Sequence, residues 1–192
     1  ISLERERCKQ ALELAKQGVK VALISSGDSG VYGMAGLALE LLMMQPIEHR
    51  PFFQVHPGIS AFQMAAAKTG APLMNDFCAI SLSDLLTPWE IIERRLQSAA
   101  NGDFVIAIYN PRSLDREWQL GRALEILRAK RSCKTPIALS RKLGREDERT
   151  EIYTFKSLPI EEIDMLTVLV IGNSQSFVKD NFFVTPRGYS IS

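Results

Sequence analysis

The stretch Ser25-Ser26-Gly27-Asp28-Ser29-Gly30-Val31-Tyr32-Gly33 decides how this chain is read. An apolar run with β-branched residues, VKVALIS at 19–25, leads into it, and an apolar helical pattern at 32–44 leaves it. A short apolar run of this kind reads as a buried strand. Strand, glycine turn and helix together make one βα unit. Glycines in the turn permit positive φ and close approach of a ligand to the backbone. Asp28 carries a carboxylate at the tip, where it can accept hydrogen bonds from ribose hydroxyls or an ammonium group. It can equally cap the following helix, and both readings stand at this point. The spacing is not GxGxxG and no Walker lysine follows, which disfavours a phosphate-binding loop.

The same pattern recurs. Residues 52–55 read as a strand, His56-Pro57-Gly58 as a turn, and 59–68 as an alanine-rich helix closed by Gly70. Two βα units in succession predict a mostly parallel sheet, in which ligands sit at the carboxyl ends of the strands. Upstream, 3–17 is helical, with Leu3, Ala11, Leu12 and Ala15 on one side and Gly18 as the stop. Residues 71–77 (APLMNDF) read as a linker. Beyond it come a strand at 78–82 and a helix capped by Thr87, with Pro88 at its first position, running to about residue 100. Then follow a turn at 101–103, a strand at 104–109, a long amphipathic helix at 115–131, and strands at 135–140, 151–155 and 166–171. The last two lack a long helix between them, so mixed or antiparallel pairing is expected there. The result is an α/β chain of two domains, 1–75 and 76–192.

Composition narrows the function. Of 192 residues, 46% are hydrophobic and 23% charged, and 23 Lys and Arg against 22 Asp and Glu leave a net charge of +1. Such a balance gives no broad field for a nucleic-acid backbone, so no nucleic-acid partner is expected. Cys8, Cys78 and Cys133 are scattered, with no CxxC pair or Cys/His cluster, and no metal site is expected. A reducing cytoplasm fits this cysteine usage. No apolar run reaches the roughly 20 residues needed to span a bilayer, and no signal-peptide pattern is present. His49 and His56 are seven apart and lack a carboxylate neighbour set like a metal site; His56 is retained as a candidate because it precedes a glycine turn. Met43, Met44, Met64 and Met74 read as core filler. The charged run at 141–149 reads as a solvated loop.

Four segments carry a resemblance. SSGDSGVYGMAG resembles the S-adenosylmethionine loop of the tetrapyrrole methylase family, with Ser29 where the family mostly has proline. His56-Pro57-Gly58-Ile59-Ser60-Ala61 resembles the family's second cofactor loop, and Ile108-Tyr109-Asn110-Pro111 the third. Pro136-Ile137-Ala138-Leu139-Ser140-Arg141 resembles the strand and turn flanking the adenine. Their order over almost the whole chain makes the signal specific where any one of them would not be. Within the family, ISLSDLLTPW at 80–89, with IYNPRS and the closing TPRGY, resembles the precorrin-3B and cobalt-factor III C17-methyltransferases.

The resemblance implies the two-domain tetrapyrrole methylase fold (class III S-adenosylmethionine methyltransferase), with an active-site cleft between the domains, and a homodimer. It implies S-adenosyl-L-methionine held by Ser26, Gly27, Asp28, Val31, Ser60, Ala61, Asn110, Ala138 and Arg141. It implies a tetrapyrrole substrate near Ser83 and Arg112, with Asp84 and Thr87 as the candidate catalytic side chains. The implied reaction is methyl transfer to carbon 17 of precorrin-3B or cobalt-factor III with ring contraction, on the route to cobalamin. The family normally begins with a strand and a GxGPG loop; nothing here matches them, so an N-terminal piece is expected to be absent. Three alternatives are a uroporphyrinogen-III methyltransferase, against which SDLLTPW argues, a dinucleotide-dependent oxidoreductase, against which the missing GxGxxG argues, and a cofactor-binding fragment without activity.

Overall fold

The computed structural model describes residues 2–113 and 116–190. They divide into two compact units, Ile1–Ala61 and Phe62–Ser192.

The first unit is built on two helices. Helix α1 (Ser2–Lys16) buries Cys8 and Leu12, and α2 (Ala35–Met43) buries Ala38 and Leu42; the two pack on each other. Gly18 closes α1 with φ +83°, its N–H donating to the Ala15 carbonyl at 3.0 Å. The strands expected at 19–25 and 52–55 do not form. Among the described residues, no backbone–backbone hydrogen bond involves 20–25 or 51–57. A strand exists only through a neighbour about 4.8 Å away in the hydrogen-bonding direction, and this unit supplies none. An apolar cavity of about 490 Å³ is lined by both segments together with Cys8 and Leu12 of α1.

Helix α3 (Ala61–Thr69) begins on the last residue of the first unit and leads the second into β1 (Gly70–Ala71). A βαβ crossover follows: β2 (Phe77–Ser81), α4 (Trp89–Asn101) and β3 (Val105–Tyr109), with β2 and β3 parallel. Helix α5 (Trp118–Arg128), β4 (Pro136–Arg141), β5 (Arg149–Thr154) and β6 (Thr167–Ile171) complete a five-stranded sheet in the order β2-β3-β6-β4-β5. Every pairing except β2 with β3 is antiparallel, as the missing long helix before β6 predicts. The core is aliphatic: Ile92 and Leu96 of α4, Leu120, Leu124 and Leu127 of α5, and Ile106, Ile108, Ile137, Leu169 and Ile171 of the strands are almost fully buried.

Strand β1 pairs in parallel with β8 (Phe182–Val184), tying 70–71 to the chain's other end. Three local expectations are corrected. Pro88, not Thr87, stands at the N-cap of α4, and no side-chain cap bond forms. Helix α5 is shorter than 115–131; its expected start at Asp115 lies outside the described residues. It stops at Arg128, and the Arg131 guanidinium beyond it donates to the carbonyls of Ala100 (3.0 Å) and Phe104 (3.1 Å). The hairpin of β7 (Phe177–Lys179) and β8 was not expected; its turn, Asp180-Asn181, takes φ of +50° and +65°, the conformation that two-residue hairpin loops require.

Candidate active site

In the first unit the two glycine turns lock together. Asp28 Oδ1 accepts the N–H of Gly30 at 2.8 Å, and Oδ2 accepts the N–H of Gly58 at 2.8 Å. Two backbone donors on one carboxylate favour its charged form. The N–H of Gly58, then that of Gly30, hold Asp28 below the usual carboxylate range. The turns touch where side chains are missing. A Cβ on Gly58 would lie 2.2 Å from the Gly27 carbonyl oxygen. Gly27 has φ +74° and faces the backbone of Ile59 and Ser60. Ser29 Oγ donates to the His56 carbonyl at 3.2 Å, which braces the position where the family has proline.

Four of the expected residues lie at these two turns: Gly27 and Asp28 on one, Ser60 and Ala61 immediately after the other. Ser26 and Gly27 are exposed, Val31 is half-buried, and Ser60 is buried at the start of α3. Asp28 is not a cap in the ordinary sense. Helix α2 begins at Ala35, with Met34 at its N-cap and no side-chain cap bond. The carboxylate holds turn to turn instead.

In the second unit the expected residues gather at the carboxyl ends of β2 and β3. Asn110, at φ +50°, donates from Nδ2 to Ser81 Oγ at 2.8 Å, and Ser81 Oγ also accepts the N–H of Ser83 at 3.2 Å. The Leu82 N–H donates to the Tyr109 carbonyl at 2.9 Å, extending the ladder past both strand ends. Asp84 accepts from Gln119 Nε2 at 2.9 Å. Asp84 and Thr87 are both half-buried, and Leu85 and Leu86 between them are strongly exposed.

Two expected residues are less open than the sequence implies. Ala138 is fully buried in mid-strand and paired on both sides. Arg141 donates through Nε (2.8 Å) and Nη2 (2.6 Å) to Asp164 Oδ2. Arg112 is engaged by carboxylates of its own chain, Glu161 at 3.3 Å and Glu117 at 3.4 Å. Sequence reasoning missed Arg116 and Gln119, which are buried and bind the site's loops; both fell inside a stretch read as ordinary helix.

Among the described residues no group of three His, Cys, Asp or Glu side chains could hold a metal ion, and no helix is long and apolar enough to cross a membrane.

Comparison with known proteins shows the family. Residues 3–159 match the family model for Tetrapyrrole (Corrin/Porphyrin) Methylases, and the chain belongs to that family. It is 48% identical over 188 residues to a "Probable cobalt-factor III C(17)-methyltransferase" of Salmonella typhimurium, covering 98% of this chain and 77% of the relative. It is 42% identical over 193 residues to a "Precorrin-3B C(17)-methyltransferase" of a Sinorhizobium species, covering 97% of this chain and 76% of that one. Among solved structures, the methyltransferase CobJ superposes with a TM-score of 0.89 at 42% identity, over 95% of this chain and 77% of that chain. A Thermus thermophilus uroporphyrin-III C-methyl transferase in complex with S-adenyl homocysteine shares the fold at a TM-score of 0.60 and 18% identity, over 88% of this chain and 73% of its own.

Proposed function

We propose that this chain carries the S-adenosylmethionine-dependent C17-methyltransferase activity of cobalamin biosynthesis, acting on precorrin-3B or cobalt-factor III. The observation that carries the reading is the turn-to-turn brace of Asp28 with Gly58, set beside 48% identity to a relative named for that activity. The residues present suit the cofactor. The glycine turn leaves backbone at Ser26, Gly27 and Gly30 exposed for ribose hydroxyls, and Asp28 keeps a fixed negative charge beside it for an ammonium group. When bound, S-adenosylmethionine would supply an electrophilic methyl on a sulfonium sulfur.

The protein's part is to bind, align and keep water out. The positive charge of the sulfonium disappears as the methyl moves, so a dry, aligned arrangement lowers the barrier without a strong base. Ser26, Gly27, Asp28, Val31, Ser60 and Ala61 are the proposed cofactor residues of the first unit. Asn110 and Arg141 are those of the second, with Ala138 lining the strand behind Arg141. Ser83, Asp84 and Thr87, on the loop after β2, are proposed to meet the macrocycle, and Asp84 and Thr87 are the side chains proposed to touch the reacting ring. Arg112 would have to exchange Glu117 or Glu161 for a substrate carboxylate. A cytoplasmic homodimer belongs to the same reading, and light scattering tests the dimer.

The decisive experiment incubates the protein with S-adenosylmethionine and cobalt-factor III under anaerobic conditions and follows the product by mass. A gain of one methyl, with the shift in absorption that ring contraction causes, is the expected result. Methylation of uroporphyrinogen-III in its place would overturn the subgroup assignment. Absence of S-adenosylhomocysteine binding by calorimetry would overturn the reading altogether.

A further inference from the structure

Two buried polar side chains in the second unit lie beneath the loop of Asp84. Gln119, in the first turn of α5, is 2% exposed. Its Nε2 donates to Asp84 Oδ2 at 2.9 Å, while its Oε1 is buried with no hydrogen-bond partner. A leucine there would pack without leaving a buried acceptor unmet, so the amide costs stability. Arg116, three residues earlier, is 6% exposed. It donates through Nη1 to the carbonyls of Leu82 and Asn110, both at 3.2 Å, and through Nη2 to Met165 Sδ at 3.0 Å. Among the described residues no carboxylate pairs with it. Leu82 and Asn110 are the residues that follow β2 and β3. Arg116 therefore fixes the backbone from which the Asp84 loop departs, and Gln119 fixes the Asp84 side chain itself. Polar groups kept in a core against stability mark functional geometry more often than packing.

The Asp84 carboxylate is left asymmetric by this arrangement. Oδ2 is held by Gln119, and among the described residues nothing donates to Oδ1. The residue is half-buried and precedes the exposed pair Leu85 and Leu86. We propose that Gln119 is a positioning residue that turns Asp84 so that Oδ1 accepts an N–H or O–H of the substrate. This rests on the methyltransferase reading above; on that reading the donor is a ring N–H of precorrin-3B, whose macrocycle holds no metal. The apolar side chains of Leu85 and Leu86 would then lie beside the macrocycle.

The test is a double-mutant cycle with Gln119→Leu, Asp84→Ala and the pair, read by precorrin-3B affinity, S-adenosylhomocysteine affinity and melting temperature. Tryptophan fluorescence follows precorrin-3B, because Trp89 and Trp118 stack edge to face at 4.7 Å in the same region. Gln119→Leu should weaken precorrin-3B binding about tenfold, leave cofactor affinity unchanged and leave the melting temperature the same or higher. In the Asp84→Ala background it should have no further effect. Gln119→Glu, which keeps the size but sets a carboxylate against a carboxylate, should be as weak as Gln119→Leu. Losses that add in the double variant, or a melting temperature that falls with the affinity, would make Gln119 merely structural and overturn the inference. A wild-type chain that binds S-adenosylhomocysteine and methylates another tetrapyrrole, but neither precorrin-3B nor cobalt-factor III, would overturn the functional reading and this inference with it. A wild type that takes only cobalt-factor III, which has no ring N–H to offer, or one that binds precorrin-3B with Gln119→Leu unchanged, would overturn only the inference.

Discussion

The Asp28 carboxylate accepts the backbone N–H of Gly58, thirty residues further along the chain, at 2.8 Å. That bond and its partner from Gly30 join the two turns of the first unit into one surface. Removing the carboxylate should therefore disturb both turns at once. Asp28→Ala should weaken S-adenosylhomocysteine binding by about tenfold or more, the scale of one lost charge-assisted hydrogen bond, while circular dichroism stays unchanged. Unaltered affinity by calorimetry would mean that the carboxylate only holds the turns.

The same carboxylate sets a pH dependence. The N–H groups of Gly58 and Gly30 lower the Asp28 pKa in the folded chain. A depressed folded value contributes stability that is present above the ordinary carboxylate value of roughly 4 and is lost as pH falls through the lowered folded value. Cofactor affinity should therefore stay level from neutral pH to about 4 and fall only below it. Asp28→Asn should remove that acid limb. A wild-type affinity that already falls well above the ordinary carboxylate value would contradict the assignment.

Gly58 has no room for a side chain. Its Cβ would lie 2.2 Å from the Gly27 carbonyl oxygen, and backbone cannot swing aside as a flexible side chain can. Gly58→Ala should separate the turns at a cost of about 1–3 kcal/mol, the usual range for overpacking, and should reduce cofactor affinity as Asp28→Ala does. Gly36, where an added Cβ meets nothing within 4 Å, is the control: Gly36→Ala should leave both stability and binding intact.

Ala61 follows the second turn directly and is half-buried at the start of α3. Ala61→Trp should block the cofactor by volume. Full S-adenosylhomocysteine affinity in a variant with native circular dichroism would remove the second turn from the cofactor site.

The unpaired segments of the first unit make a prediction about dynamics. Amides at 20–25 and 52–55 lack backbone partners, whereas those of β3 and β6 pair within a buried sheet. Hydrogen exchange should be fast in the former and slowest in the latter. Strong protection at 20–25 in the isolated chain would mean that those amides find a partner, such as a second copy.

Much of this was legible because it is local. The helix stop at Gly18, the aliphatic strands β2, β3, β4 and β6, and the glycine turns with Asp28 all follow from short-range pattern, which composition and period carry directly. The family resemblance was legible for the same reason, since it rests on four short motifs in order. Residues 19–25 show where pattern misleads. VKVALIS has the composition of a strand, yet a strand is a relation between two segments, and hydrogen-bonding neighbours are not written in either one.

What only the tertiary structure decided is which distant atoms meet. The sequence offered Asp28 as cap or ligand; its bond to Gly58 gives it another task. The sequence read 71–77 as a linker; the pairing of β1 with β8, more than a hundred residues apart, ties its first residue into a sheet. Arg112, a candidate substrate contact by sequence, is engaged by Glu117 and Glu161, while Arg116 and Gln119, which fell inside a long amphipathic helix, are buried beneath the loop of Asp84. Side-chain polarity is a property of one residue and can be read alone. The partner that satisfies it lies wherever the fold closes, so these roles were fixed only when β2, β3 and α5 came together.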